Sequence, residues 1–361
     1  MKTIYLTWCL AFLACLPLMA QTEVVAYKPG VTTEGVTYYL PRTAFAISIK
    51  LKKTTYFPGE FQPYAAAYLR LADVGATPTT SWSIEGISVQ PYGLPDTSKV
   101  YSIALKKRTI APLVTLSVDG LLLGVNTADA PSVAPLPEPL PLRTRTPKPL
   151  NPRDYMGEDI LLAGSTLKMA ELTANEILDL RDSRNLLMKG QADFMPKDGE
   201  QLKLMLAQLD QQEQALLQAF KGYTTEEEQT VVLRYEPMAE VKDHVLCRLS
   251  QKLGLVAPDD LAGAPIYISL TDLKSLPDSV PLDPKAIAKR DAEDVRYNLP
   301  THCRLEIYTP TQHLYTGQQA VAQLGRVEYL GGALFNKNAT TKLTLVPTTG
   351  AVLQLEAIQQ P

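Results

Sequence analysis

The chain has 361 residues, of which 45% are hydrophobic and 20% charged, with 35 Lys+Arg against 38 Asp+Glu. This balance carries no basic excess and argues against nucleic acid as a partner. Losing Met1–Ala20 would remove one lysine and no acid, leaving a charge of about −4, on a length that suits two or three domains.

The first twenty residues have the form of a secretory signal peptide: Lys2, an apolar run from Ile4 to Met19, then Ala20. Cleavage after Ala20 would expose Gln21, and Cys15 offers a lipid anchor as the alternative. No later run is apolar over the 18 or more residues that a membrane helix needs. Residues 21–129 form an expected β-rich domain. Strand patterns lie at 36–40 and 45–51, broken by Pro41, and at 81–92 and 100–105. Residues 114–125 read as a tight β-hairpin, since Asp119-Gly120 supplies the positive φ angles of its turn.

Residues 130–152 carry eight prolines, among them Pro139 and Pro141, and read as a semi-rigid spacer without helix or paired strand. Residues 153–223 hold two predicted helices. In the first, 166–189, Ala170, Thr173, Ile177, Leu180, Leu187 and Met188 share a face, and Gly190 follows as a C-terminal cap. Asp198 caps the second, in which Leu202, Met205, Leu206, Leu209, Leu216 and Phe220 recur at three and four residues, and Gly222 stops it. Arg184 and Glu213 interrupt these stripes and are candidate buried charges. In an antiparallel hairpin Arg184 is expected opposite residues 202–206, about 13 Å from Glu213, so that each needs another partner.

Residues 224–361 read as a second β-rich domain. Glu226–Glu228 suggest a solvated turn before a strand at 230–235, and a short helix is expected at 284–296 under an Asp283 cap. Short strands then follow to the end, as in an antiparallel sandwich or barrel. Cys247 and Cys303 are candidates for a disulfide, with buried free thiols as the alternative. His244-x-x-Cys247 and His302-Cys303 hint at zinc, but residues an odd number apart on a strand point to opposite faces. Asp278-Ser279-Val280 matches a loose O-glycosylation pattern, which makes Ser279 a candidate acceptor. Val36-Thr-Tyr38-Tyr-Leu40-Pro41 recurs as Val295-Arg-Tyr297-Asn-Leu299-Pro300, and the echo predicts that the two β domains are structurally related.

There is no G-x-S-x-G, H-E-x-x-H or P-loop pattern, so no catalytic residue is assigned, and no cofactor or metal is expected. The 17 tyrosines suit half-exposed sheets and also glycan-binding surfaces.

The runs LKMAELTANEILDLRDSRNLLMKGQADFMPKDGEQLKLMLAQLDQQEQALLQAFKG, YYLPRTAFAISIKL with PGEFQPYAAAYL, and KDHVLCRLSQKLG resemble an uncharacterised family of exported Bacteroidota proteins, a domain of unknown function. The resemblance covers most of the mature chain and is most specific at DGEQLKLML. It implies export and a shared architecture, and no activity. The expected fold is α+β: two β-rich antiparallel sandwich or barrel-like domains joined by the proline-rich linker and an antiparallel helical hairpin. The expected role is non-catalytic, in the periplasm, at the outer membrane or outside the cell, with an envelope protein partner or self-association. The alternatives are a carbohydrate-binding module using exposed tyrosines and a hydrolase with dispersed carboxylates.

Overall fold

The computed structural model describes residues 36–103, 114–129, 131–196, 198–279, 283–287, 294–331, 334 and 340–358. The expected leader, with Cys15, lies outside the described residues, as does Val280. In chain order the elements begin with β1 (Val36–Phe57), α1 (Ala65–Leu69), β2 (Thr79–Ile103), β3 (Val114–Leu116), β4 (Leu122–Val125) and β5 (Leu140–Thr144). Three helices follow: α2 (Glu158–Leu161), α3 (Thr166–Lys189) and α4 (Gly199–Lys221). The remaining strands are β6 (Tyr223–Tyr235), β7 (Val241–Ser250), β8 (Gly254–Val256), β9 (Ala264–Asp272), β10 (Val295–Tyr308), β11 (His313–Leu330), β12 (Thr340–Leu345) and β13 (Val352–Ile358). The protein is therefore mostly β, in antiparallel sheets. Among the described residues no helix is long and apolar enough to cross a membrane.

Alternation builds the main core. Phe45, Ile47, Ile49 and Leu51 of β1 point one way and are fully buried, at about 1.5–3 kcal/mol each relative to exposure. They pack on Ile266, Ile268 and Leu270 of β9 and on Cys303, Leu305 and Ile307 of β10. The first sheet, in the order β2-β1-β6-β5, thus faces the second, β11-β10-β9-β7-β8. A third sheet, β13-β12-β4-β3, encloses a smaller core around Tyr38, Leu40, Leu122, Val125, Leu343 and Leu345.

This arrangement corrects the expected division into β domains at 21–129 and 224–361. β1 pairs with β6 from Phe45↔Tyr235 to Phe57↔Tyr223, and β4 pairs with β12, so both halves share sheets. The linker reading also fails in part, because β5 pairs with β6 at Leu140, Arg143 and Thr144. Pro141 is accommodated because β5 is an edge strand and the ladder is irregular there. Glu226–Glu228 lie inside β6 and not in a turn. Lys52 meets Glu226 at 3.3 Å, Lys53 meets Glu227 at 2.8 Å, and Arg145 meets both Glu228 and Glu85. Val295 and Arg296 open β10 and do not close a helix; the helical turn at Asp283 is seen in the Ile287 N–H donating to the Asp283 carbonyl at 3.0 Å.

The sequence echo marks a structural repeat. Tyr38 and Tyr297 stand at the same position of β1 and β10, the first strands of two long hairpins. Tyr39 pairs with Val100 and Pro41 with Pro95; Leu299 pairs with Arg326 and Thr301 with Val321. In both hairpins two steps on the first strand face five on the second, one motif position later in β10 than in β1: Pro300 is the residue passed over, whereas Pro41 stands at the edge of the irregularity opposite Pro95.

Cys247 and Cys303 are both buried free thiols, which corrects the disulfide expectation. β9 runs between their strands, with Cys247 opposite Ile266 and Cys303 opposite Asp272. Six residues of strand separate those positions, roughly 20 Å, well beyond the ~7 Å Cα limit for a bridge. Burial pushes both thiols, and the Tyr38 hydroxyl, up to about 12. All three hold their protons more tightly folded than unfolded. Their contribution is therefore complete below about pH 9 and is lost as pH rises toward 12. The melting temperature should fall steadily across that window. Below it, Cys247 and Cys303 should resist alkylation until denaturant is added and then react without a reductant, as peptide mass mapping would show.

Candidate functional site

The helical part leaves the sheets at one end of β1. The segment between β1 and β2 carries α1 and packs with α2, α3 and α4 around Phe61, Ile160, Ile177, Leu216 and Phe220. The rings of Phe61 and Phe220 lie 5.4 Å apart. Backbone contacts fix this base: the Phe61 N–H donates to the Ala219 carbonyl at 2.6 Å, and the Tyr56 hydroxyl donates to Lys221 at 2.9 Å.

Local chemistry sets the helix ends. Ser165 Oγ accepts from the Lys168 N–H, opening α3, and Gly190 closes it at φ 69 while the Gln191 N–H returns to the Leu186 carbonyl. Asp198 accepts from the Glu200 N–H at the start of α4.

Arg184 and Glu213 meet directly, contrary to the separation expected from sequence. Arg184 Nη1 lies 2.9 Å from Glu213 Oε2 and 2.7 Å from Asp210 Oδ1, and Arg181 Nε lies 2.6 Å from Glu213 Oε1. Glu213 is buried, while both arginines keep contact with water. Asp210's hydrogen bond, then Glu213's charge, hold the Arg184 guanidinium above its ordinary pKa. The expected register places Arg184 opposite residues 202–206. Here Arg181 faces Glu213 and Arg184 faces Asp210, so three residues up α3 match three down α4. On that register the end of α3 lies beside about residue 205, and the first turns of α4 reach past it.

That far end carries apolar groups in water. Met188 is 70% exposed, Phe194 in the connector 68% and Leu204 of α4 63%, with Leu186 and Met195 also exposed. A group of large side chains at one end of a helix pair is unusual on a surface that touches only solvent. Met188 is expected on the apolar face with Leu187, but Leu187 is buried and Met188 stands in water, and Phe194-Met195 lies in a connector where polar residues are the rule.

A second surface lies on the outer face of the second sheet. Tyr267, Tyr308 and His313 occupy adjacent strands in register, with ring centroids 5.7 and 5.5 Å apart. The Tyr308 hydroxyl donates to Asp243 and lies 3.1 Å from Ser269 Oγ, which accepts from the Asp243 N–H at 2.9 Å. The bond to Asp243 raises the Tyr308 pKa. Asp243 itself sits at φ 55 beside an irregularity in β7, a conformation that costs a non-glycine residue energy.

Ser279 is exposed in the loop after β9, with Asp278 beside it. His244 is exposed while Cys247 is in the core, and among the described residues no three His, Cys, Asp or Glu side chains gather as a metal site. Asp154 and Glu176 line an open polar depression of about 400 Å³ at the helical base, where Asp154 accepts from Asn151.

Comparison with known families gives one match: residues 34–353 fit the model described as "Domain of unknown function (DUF4831)". No curated protein and no solved structure matches.

Proposed function

The chain belongs to the DUF4831 family of domains of unknown function, and on that premise we propose that it is a non-catalytic, exported protein of the Bacteroidota cell envelope that binds a protein partner. In this reading α3 and α4 form an antiparallel hairpin, the β sheets hold its base, and its far end docks. The observation that carries it is the exposed apolar group Met188, Phe194 and Leu204. Burying them against a partner would remove from water three side chains worth about 1.5–3 kcal/mol each when fully covered. The knot of Glu213 with Arg181 and Arg184 holds the helix register and so keeps the end in one shape.

The leader-like residues 1–20 support export. Replacing Met188, Phe194 and Leu204 together by glutamate should leave the melting temperature within a few degrees, since none is in the core, while releasing the protein from its partner in fractionated envelopes. Unchanged retention of the triple variant would defeat the proposal.

A second reading is favoured by the row Tyr267, Tyr308 and His313, whose faces suit stacking on sugar rings, with Asp243 as a polar handle. Retention on a polysaccharide that Tyr308→Ala abolishes would carry that reading; no retention of the parent protein on envelope glycans would end it.

A further inference from the structure

The two short hairpins of the third sheet repeat each other pair by pair, the second with one more residue in its turn. Val114, Thr115 and Leu116 face Val125, Gly124 and Leu122; Leu343, Thr344 and Leu345 face Leu355, Gln354 and Val352. Both ladders skip one residue at the same step, Leu123 in one and Leu353 in the other. Each turn holds a glycine at positive φ, Gly120 or Gly350. Their carbonyls accept from the Tyr39 N–H at 3.0 Å and the Asn298 N–H at 3.1 Å, the fourth residues of the two echoed motifs. β3 is thus the counterpart of β12, and β4 of β13.

The counterparts differ in their neighbours. β4 has β3 on one edge and β12 on the other. Val125 pairs with both Val114 and Leu343, and Gly124 with both Thr115 and Thr344, so the same kind of strand flanks β4 twice at one register. Among the described residues β13 has β12 alone and its outer edge is unpaired, as is that of β3. Burial follows the pairing. Leu123 is 6% and Val125 1% exposed on β4, against 58% for Leu353 and 45% for Leu355 on β13. Leu355 stands directly opposite the fully buried Leu343, hence on the same side of the sheet, yet the cover stops there. An apolar edge strand left open in this way is a template for another strand.

We propose that the outer edge of β13 receives β3 of a second copy of this chain, repeating the β12–β4 junction. Val114 of one copy then lies opposite Leu355 of the next, and Thr115 opposite Gln354. The occupant follows from the repeat: among the described residues β13 lacks a neighbour of the β12 kind, and β3 is a strand of that kind with its own outer edge unpaired. Each copy offers β3 at one side and β13 at the other, so the contact is head-to-tail and builds a ring or a linear chain. This surface is distinct from the end of the helix pair, and the proposal does not rest on the function proposed above.

The test pairs Thr115→Cys with Gln354→Cys. Directly opposed residues on neighbouring strands come close enough to bridge. Under mild oxidation a mixture of the two single variants should give a dimer whose linked peptides contain residues 115 and 354, and the double variant should give a ladder of larger species. The mass of the parent protein, followed by sedimentation, should at least double with rising concentration. Leu353→Lys with Leu355→Lys should hold it at the monomer mass with an unchanged circular dichroism spectrum. A parent protein that stays monomeric and a mixture that forms no 115–354 link would overturn the proposal. So would a double variant that links within one chain, since β13 would then be closed by its own β3.

Discussion

Gly222→Ala should destabilise the protein by about 3 kcal/mol or more, the largest loss expected from a single added methyl group. Two effects combine. Gly222 has φ 73 and ψ −165, a backbone region that is essentially glycine's alone and costs other residues about 1–3 kcal/mol. A Cβ there would also sit on the Phe57 carbonyl oxygen, in the backbone of β1. That backbone cannot retreat, because Phe57 is paired with Tyr223, the first residue of β6. Gly190→Ala is the control. Its φ is similar at 69, but nothing lies within 4 Å of the added carbon, so only the left-handed cost of about 1–2 kcal/mol applies. Urea midpoints for the two variants give the comparison. Equal losses would mean that the close approach of α4 to β1 is not as described.

Asn298→Ala should cost about 2–4 kcal/mol. Asn298 is fully buried, and its Nδ2 donates to the Pro41 and Thr349 carbonyls, both at 2.9 Å. It thereby ties the first echoed motif and the turn before β13 to the second motif. Truncation leaves two buried carbonyls without that donor, at about 1–3 kcal/mol each where nothing replaces it. Asn298→Asp should be worse, and in a pH-dependent way. A carboxylate facing two carbonyls is opposed by burial and by repulsion, so its folded pKa would rise above the ordinary value. The variant should then be most stable at low pH, where the acid is neutral, and lose stability as pH climbs through and above the carboxyl range. A flat pH profile for Asn298→Asp relative to the parent would contradict this account of the site.

Sequence reading reached the local features and stopped at the distant ones. α3 and α4 end where Gly190 and Gly222 stand, because caps are set by neighbours within a few residues. The chain does turn between β3 and β4, but over residues 117–121 with positive φ at Gly120 and not at Asp119, so the tight two-residue turn expected of Asp119-Gly120 is not formed. The V-x-Y-x-L-P echo was legible, and its structural meaning needed the strand registers. The pairing of β1 with β6 was not legible, since nothing in either strand names a partner on the far side of two helices. For the same reason Glu226–Glu228 looked like a solvated turn: Lys52, Lys53 and Arg145, which meet them, lie 83 or more residues away. Arg184 and Glu213 were misplaced because helix register depends on how a connector crosses, and each residue of offset moves the facing helix by about 1.5 Å. The row of Tyr267, Tyr308 and His313 belongs to three strands and emerges only when they are laid side by side.

The most direct measurement is site-specific photocrosslinking from Phe194 in the protein in its native envelope, with Lys203, an exposed charged residue of α4, as the comparison position. The account predicts one discrete adduct from Phe194 that is weak or missing from Lys203 and lost when Met188 and Leu204 are replaced by glutamate. Equal, diffuse labelling from both positions, or none from Phe194, would contradict it.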